Sequence, residues 1–209
     1  MITKKKIAVV DVCHTLYHEN TTIGFINYIG GASYRIRLLR FSFIKVFLVI
    51  LGKILGKDLY RILYIKNLAG KTRTELYMLA LKYHDNVLCN VKIPVVHELI
   101  LKNRDVFDYK LCSASLDIII SAVVERNDIF SKKYISSKLE YDKNDICTGK
   151  LAYDLLGKKA TEFNSPDWVI TDNISDLELI KKSKKSTVVS KRKNINFWAQ
   201  HGVKVDIII

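Results

Sequence analysis

Four short segments, well separated along a chain of 209 residues, carry side chains suited to handling phosphate. Asp11 closes the apolar run Ile7 to Val10 in Asp-Val-Cys-His-Thr, and Ser113 follows the run Val106 to Cys112 in Ser-Ala-Ser. Lys159 stands at an expected helix start in Gly-Lys-Lys-Ala, and Asp172 and Asp176 flank Asn-Ile-Ser. A carboxylate can attack phosphorus, serine and lysine can hold phosphate oxygens, and two carboxylates can share a magnesium ion, a hard cation that prefers oxygen ligands. Phosphoryl transfer needs these parts together: a nucleophile, a positive charge for the oxygens and donors that hold the group in line. Taken singly, each residue has an ordinary use. Asp11 suits a turn, Ser113 and Ser115 suit helix caps, and Asp172 and Asp176 suit an N-cap and a first-turn acid.

The elements that must position them follow from hydrophobic patterning. Ile7 to Val10, Val106 to Cys112, Trp168 to Thr171 and Ser186 to Val189 read as short buried strands, the first three ending at the polar residues named above. Leu116 to Arg126, Asp176 to Lys182 and Ile195 to His201 read as helices between or after them. Strands alternating with helices predict an α/β fold with a doubly wound, Rossmann-like parallel sheet, whose ligands gather at the carboxyl ends of the strands. Residues 17–85 break the rhythm with several amphipathic helical stretches and are expected to form an inserted helical cap, leaving 1–16 and 86–209 as the core. Residues 134–151 predict an antiparallel hairpin turning at Lys143-Asn144-Asp145.

In that order and on those elements, the four segments resemble the four motifs of the haloacid dehalogenase superfamily. The helical insertion after the first motif, the Ser-Ala-Ser second motif and the hairpin before the lysine are similar to the phosphoserine-phosphatase-like subgroup. The resemblance implies a magnesium-dependent phosphomonoester hydrolase acting through an aspartyl-phosphate on Asp11. It implies that Asp11, Asp172 and the Cys13 carbonyl hold the metal, and that Thr15, Ser113 and Lys159 bind phosphate, with Lys158 as the alternative lysine. Asp176 then supports the metal site or the lysine. One departure matters: the family pattern has a general acid/base aspartate two residues after the nucleophile, and here that residue is Cys13. A thiol is a poor acid for an alkoxide, so either His14 or His18 carries the proton, the leaving group is a good one, or the chain is a weakened phosphate-binding accessory protein. A second departure is Asn20 at the position where phosphoserine phosphatases place a glutamate, with Glu19 beside it.

Composition sets the outer limits. With 49% hydrophobic residues, 26% charged residues and two prolines, the chain is neither disordered nor collagen-like. The cysteines at 13, 89, 112 and 147 form no C-x-x-C pair and sit in or beside apolar runs, so they suggest neither a zinc cluster nor a disulfide framework; Cys89, Cys112 and Cys147 read as core residues. The apolar run after Lys4, Lys5 and Lys6 is too short for a secretory signal, so a reducing, cytoplasmic location is expected. The net charge of +13 suits nucleic acid, an anionic membrane surface or a phosphate-bearing substrate and does not choose among them; the resemblance implies a small or lipid-borne phosphate monoester. No reading motif accompanies the basic tract from Lys181 to Lys193, which is expected to be a solvated face rather than a nucleic-acid contact. Phe41 to Leu55 is the most apolar stretch. It is short for a bilayer span and reads either as a buried cap helix or as an interfacial helix in peripheral contact with an anionic membrane, its rim basic at Arg35, Arg37, Arg40, Lys53 and Lys57. A membrane-surface binding protein is therefore a further functional alternative.

Overall fold

The β-branched run at the amino terminus pairs on both sides and is buried on both faces. Ala8 and Val10 join one apolar cluster, whereas Val9 joins a second on the opposite face, as the two-residue period of a strand requires. In the computed structural model, which describes residues 5–30 and 33–209, the strands are β1 (Lys6–Val10), β2 (Phe107–Leu116), β3 (Ile135–Tyr141), β4 (Cys147–Tyr153), β5 (Trp168–Thr171), β6 (Ser186–Ser190) and β7 (Ile207–Ile208). Lys4 and positions 31 and 32 of the expected cap lie outside the described residues. The strands form one sheet in the order β4-β3-β2-β1-β5-β6-β7. Every neighbouring pair is parallel except β3 and β4, which form the expected antiparallel hairpin. Its turn places Asp145 at φ 60°, a left-handed conformation that aspartate tolerates better than most residues.

Helices α1 (Thr21–Gly30), α2 (Tyr34–Leu39), α3 (Ser42–Ile54), α4 (Leu59–Ile65) and α5 (Arg73–Asn86) follow β1, and α6 (Pro94–Lys102) leads into β2. The chain then alternates through α7 (Asp117–Glu125), α8 (Leu177–Lys182) and α9 (Ile195–Gln200). Ile118, Ile119 and Ile120 of α7 pack on the sheet face of Ala8 and Val10. Leu179 and Ile180 of α8 and Trp198 of α9 pack on the face of Val9. Helices on both faces of a mostly parallel sheet make the predicted doubly wound α/β architecture.

Local chemistry explains the helix starts. Asp58 caps α4 by accepting from the Arg61 N–H at 2.9 Å, and Thr72 caps α5 by accepting from Glu75 N–H at 3.1 Å. Pro94 opens α6 at a position where its missing N–H costs nothing. The segments before α1 and after α5 pair through their backbone: His18 N–H donates to Val91 O and Ile93 N–H donates to Leu16 O, each at 2.8 Å. Buried Tyr17 sits between these two bonds.

Several expectations change. The strand expected to stop at Cys112 continues to Leu116, because its register against β3 shifts between Ser113 and Leu116 and lets the strand pass the bend. Lys159 begins a single 3-10 turn, Lys159–Thr161. Cys89 is exposed, its thiol turned back to the Asp85 carbonyl, while Cys112 and Cys147 are buried as expected. The short edge strand β7 had no signal of its own. Of the two readings of the Phe41 to Leu55 stretch, the buried cap helix is overturned: Leu48 and Gly52 are the buried residues of α3, whereas Phe43 is 71% and Ile54 74% exposed. No helix among the described residues is long and apolar enough to cross a membrane.

Candidate active site

β1 and β5 lie side by side and point the same way, so the residues that follow them, Asp11 and Asp172, meet at one edge of the sheet. Asp11 N–H donates to Ile170 O of β5 at 2.9 Å, and the Asp11 Oδ1 accepts from Val12 N–H at 2.7 Å. The chain then turns sharply: the N–H groups of Thr15, Leu16 and Tyr17 all point at Val12 O, and His14 takes a left-handed conformation at φ 54°. That conformation costs a non-glycine residue about 1 kcal/mol; the His14 N–H bond to Glu19 O, 3.3 Å, helps to hold it.

Lys159 reaches the same point from the turn after β4. Its Nζ lies 2.5 Å from Asp11 Oδ2 and 2.8 Å from Asp176 Oδ2, with all three side chains buried. Thr171 Oγ1 also donates to Asp176 Oδ2, at 2.7 Å. Burial alone would pull the lysine down, but Asp11 and then Asp176 outweigh it and hold the ammonium charged. Asp176 is pushed up by burial, against the pull of Lys159. The lysine that reaches Asp11 is therefore Lys159, not Lys158, whose ammonium lies over the Tyr153 ring at 5.3 Å.

Asp172 is held differently. Thr15 Oγ1 donates to its Oδ1 at 3.0 Å and accepts from its N–H at 2.9 Å, so the hydroxyl of fully buried Thr15 is committed to fixing this carboxylate. Burial, and then the neighbouring Asp11 charge, push Asp172 up to about 7. Two carboxylates pressed together with one lysine already shared between Asp11 and Asp176 form a donor set short of positive charge. A hard dication answers both deficits, charge and oxygen ligands. Asp11 and Asp172 are thus carboxylate donors of the kind magnesium takes, while no group of three His, Cys, Asp or Glu side chains able to hold a metal occurs among the described residues.

A cavity of ≈ 240 Å³ opens onto this cluster, walled by Asp11, Cys13, His14, Ser113, Lys159 and Asp172 among others. Ser113 is buried at its floor. The Cys13 thiol is turned aside: its Sγ sits 3.2 Å from Thr21 Oγ1 and accepts from Thr21 N–H at 3.4 Å, and Thr21 Oγ1 in turn lies 2.6 Å from Ser115 Oγ. Burial, then Asp11, push this thiol up, so it stays neutral. Of the two histidines, His14 faces the cavity and His18 is exposed outside it. Burial, then Lys191, lower His14 below the ordinary histidine value. Asn20 also lines the cavity, while its Oδ1 caps α1 by accepting from Ile23 N–H at 3.1 Å. Glu19 turns away toward Tyr83, crossing α1 where Gly24 leaves no room for a Cβ.

Sequence reasoning missed Arg61. It enters the cavity from α4 and is only 8% exposed. Its guanidinium donates to Asp154 Oδ1 at 2.7 Å, to Ala114 O at 2.5 Å and to Ser137 Oγ at 3.0 Å. Ala114 lies where the β2 register shifts, which frees its carbonyl from the ladder. No local signal separated Arg61 from the other basic residues of the helical segment; its partners are all distant in sequence.

Neither a family model nor a curated protein matches this sequence. Solved structures do. A phosphoserine phosphatase captured as a phospho-aspartyl intermediate analogue aligns with a TM-score of 0.60 at 15% identity, covering 99% of this chain and 94% of the other. The fold is that of the haloacid dehalogenase hydrolases. A hydrolase of that family from Salmonella enterica serovar Typhi aligns at TM-score 0.62 and 14% identity, over 97% of this chain and 66% of its own. A protein of unknown function from Bordetella pertussis Tohama I aligns at TM-score 0.71 and 12% identity, over 97% and 98% of the two chains.

Proposed function

We propose that the chain is a magnesium-dependent phosphomonoester hydrolase that forms an aspartyl-phosphate on Asp11, with the helices of residues 17–85 as its cap. The observation that carries this reading is the Asp11 carboxylate, held by Val12 N–H and Lys159 at the mouth of a cavity whose other wall is Asp172. Similarity in fold to a phosphoserine phosphatase and to a cytosolic 5'-nucleotidase, at TM-score 0.60 in both cases, supports the same reaction class.

In this mechanism the Asp11 carboxylate attacks phosphorus, the ester P–O bond breaks and the alcohol oxygen leaves with the bonding pair. Water then attacks the phosphorus, the bond to Asp11 breaks and inorganic phosphate is released. In this reading Lys159 stays charged throughout and neutralises phosphate oxygens, and Ser113 donates to one of them. Asp176 and Thr171 fix the lysine, and Thr15 fixes Asp172. Bound magnesium would supply a second positive charge for the transferring oxygens. Proton delivery is the weak step. The neutral Cys13 thiol is turned toward Thr21, and His14, lowered by burial, is suited to take a proton from the attacking water. Substrates whose leaving oxygen needs no proton are therefore favoured, small or lipid-borne.

The test is phosphate release from a panel comprising an aryl phosphate, a sugar phosphate, a phosphoamino acid and a lipid phosphate, with and without magnesium. Metal-dependent release that Asp11→Asn abolishes is expected; release that survives Asp11→Asn would remove Asp11 from the nucleophile's role. Cys13 also favours a second reading, a phosphate-binding accessory protein. Magnesium binding with silence across the panel would select it.

A further inference from the structure

α3 is apolar nearly all round, yet it meets the rest of the protein along one side, buried at Leu48 and Gly52 with Ile44 and Leu51 half-buried beside them. Phe43, Val46, Phe47, Ile50 and Ile54 recur at the spacing of one helical face and are 71%, 56%, 63%, 56% and 74% exposed. Leu55 just beyond the helix adds to the patch at 55%. A helix that buries its apolar face in the core is ordinary; this one turns its apolar face to solvent. A contiguous patch of this kind marks a surface awaiting a partner.

The surroundings say which partner. Arg35, Arg37, Arg40, Lys45, Lys53 and Lys57 are all exposed around the stripe. The one acidic residue among positions 33–58, Asp58, is engaged as the cap of α4. A second copy of the chain would bring the same six cations against themselves, which like-charge repulsion disfavours. A nucleic acid would match the cations and leave the aromatic and aliphatic stripe without a complement. An anionic bilayer matches both, since apolar side chains enter the acyl boundary while lysine and arginine stay among the headgroups.

We infer that α3 and its basic rim form a docking face for an anionic lipid surface. Each cation near such a surface contributes through the negative charge of the headgroups, and the apolar stripe sets the depth. An apolar cleft of ≈ 580 Å³ lies beneath Phe47, with Arg35 and Lys66 at its edge. A smaller cleft beside Gly52 and Lys57 reaches Asp58, which also lines the Asp11 cavity. The docking face thus adjoins the entrance to the candidate active site, although the inference does not depend on catalysis there.

The test is co-sedimentation of the full chain with vesicles of phosphatidylcholine alone and of equimolar phosphatidylcholine and phosphatidylglycerol. Binding is expected to the second only and to weaken with added salt. Lys45→Gln, Lys53→Gln and Lys57→Gln together should lower partitioning by on the order of a hundredfold. Phe47→Ser with Ile50→Ser should also release the protein, each variant being checked for wild-type far-UV circular dichroism. Wild-type protein that stays in the supernatant, or that binds neutral vesicles equally, overturns the inference without reference to any variant. A concentration-dependent dimer in sedimentation velocity, lost in the Phe47→Ser, Ile50→Ser protein, would assign the face to a second copy instead.

Discussion

Replacing Cys13 by aspartate should raise activity, and by an amount that depends on the leaving group. General acid–base catalysis contributes typically about 10² to 10⁴ in rate, and the site already holds the groups an aspartate would meet. Thr21 N–H and the Thr21–Ser115 hydroxyl pair, now against the thiol, become donors to the new carboxylate. Burial and Asp11 push the thiol up and act on a carboxyl in the same direction, favouring the protonated acid. Hydrogen bonds from Thr21 favour the ionised form and oppose this. The gain should therefore fall in the lower half of the range, about 10² to 10³, or about 3–4 kcal/mol off the barrier. The assay is kcat/KM for an alkyl phosphate and for p-nitrophenyl phosphate, each with magnesium. The alkyl ester should show the full gain, whereas the aryl ester, which leaves without a proton, should change by roughly tenfold or less. Equal gains on both esters, or no gain on the alkyl ester by a folded, magnesium-binding variant, would refute the assignment of position 13 as the vacant acid.

Two further outcomes follow from the buried charges. Lys159→Met leaves Asp11 and Asp176 without their shared cation and should cost about 3–5 kcal/mol; thermal melts should show the loss, and magnesium should stabilise this variant more than the wild type. An unchanged melting temperature would contradict the buried triad. Asp172 is raised from 3.8 to about 7 by burial and then by Asp11, so the folded state holds its proton more tightly than the unfolded chain does. The associated stability is fully present below the ordinary aspartate value and is lost as pH rises through about 7. Urea midpoints without magnesium should therefore fall between about pH 5 and about pH 8, and saturating magnesium should flatten that fall. A midpoint that rises over this interval would refute the carboxylate pairing.

Much of this was legible in the residues themselves. A β-branched run closed by Asp11 and a four-residue run closed by Asp172 announce buried strands whose ends face the same way, and the periodicity of 116–126 announces the helix between layers. The hairpin carries its own turn residues. What could not be read depends on distant partners. Ser113 lies within a strand rather than at its end, because a register shift against β3 decides the matter. Arg61 looks like any basic residue until Asp154, Ala114 and Ser137 are brought to it. Apolarity left Phe41 to Leu55 open between a buried helix and an interfacial one, because whether an apolar helix is covered depends on what packs over it. Cys89 follows α5 in a 3-10 turn, Leu88–Asn90, and three residues contain no statement of which side of a turn faces water.

The paired backbone at 16–18 and 91–93 has a bearing on how such a protein can change. The long excursion between those segments departs and returns at a single clasp of two main-chain bonds, made without the side chains of the excursion. The entropy of closing a loop grows only with the logarithm of its length, each doubling costing about 0.6 kcal/mol. Lengthening or trimming the exposed stretch around α3 therefore puts little tension on the clasp, whereas Glu19, Thr21 and Arg61 must stay, because they bond to the Asp11 turn and to the wall of its cavity. The nucleophile's geometry and the excursion's surface can diverge at separate rates, and a lineage can acquire a new habitat for the same chemistry without rebuilding it.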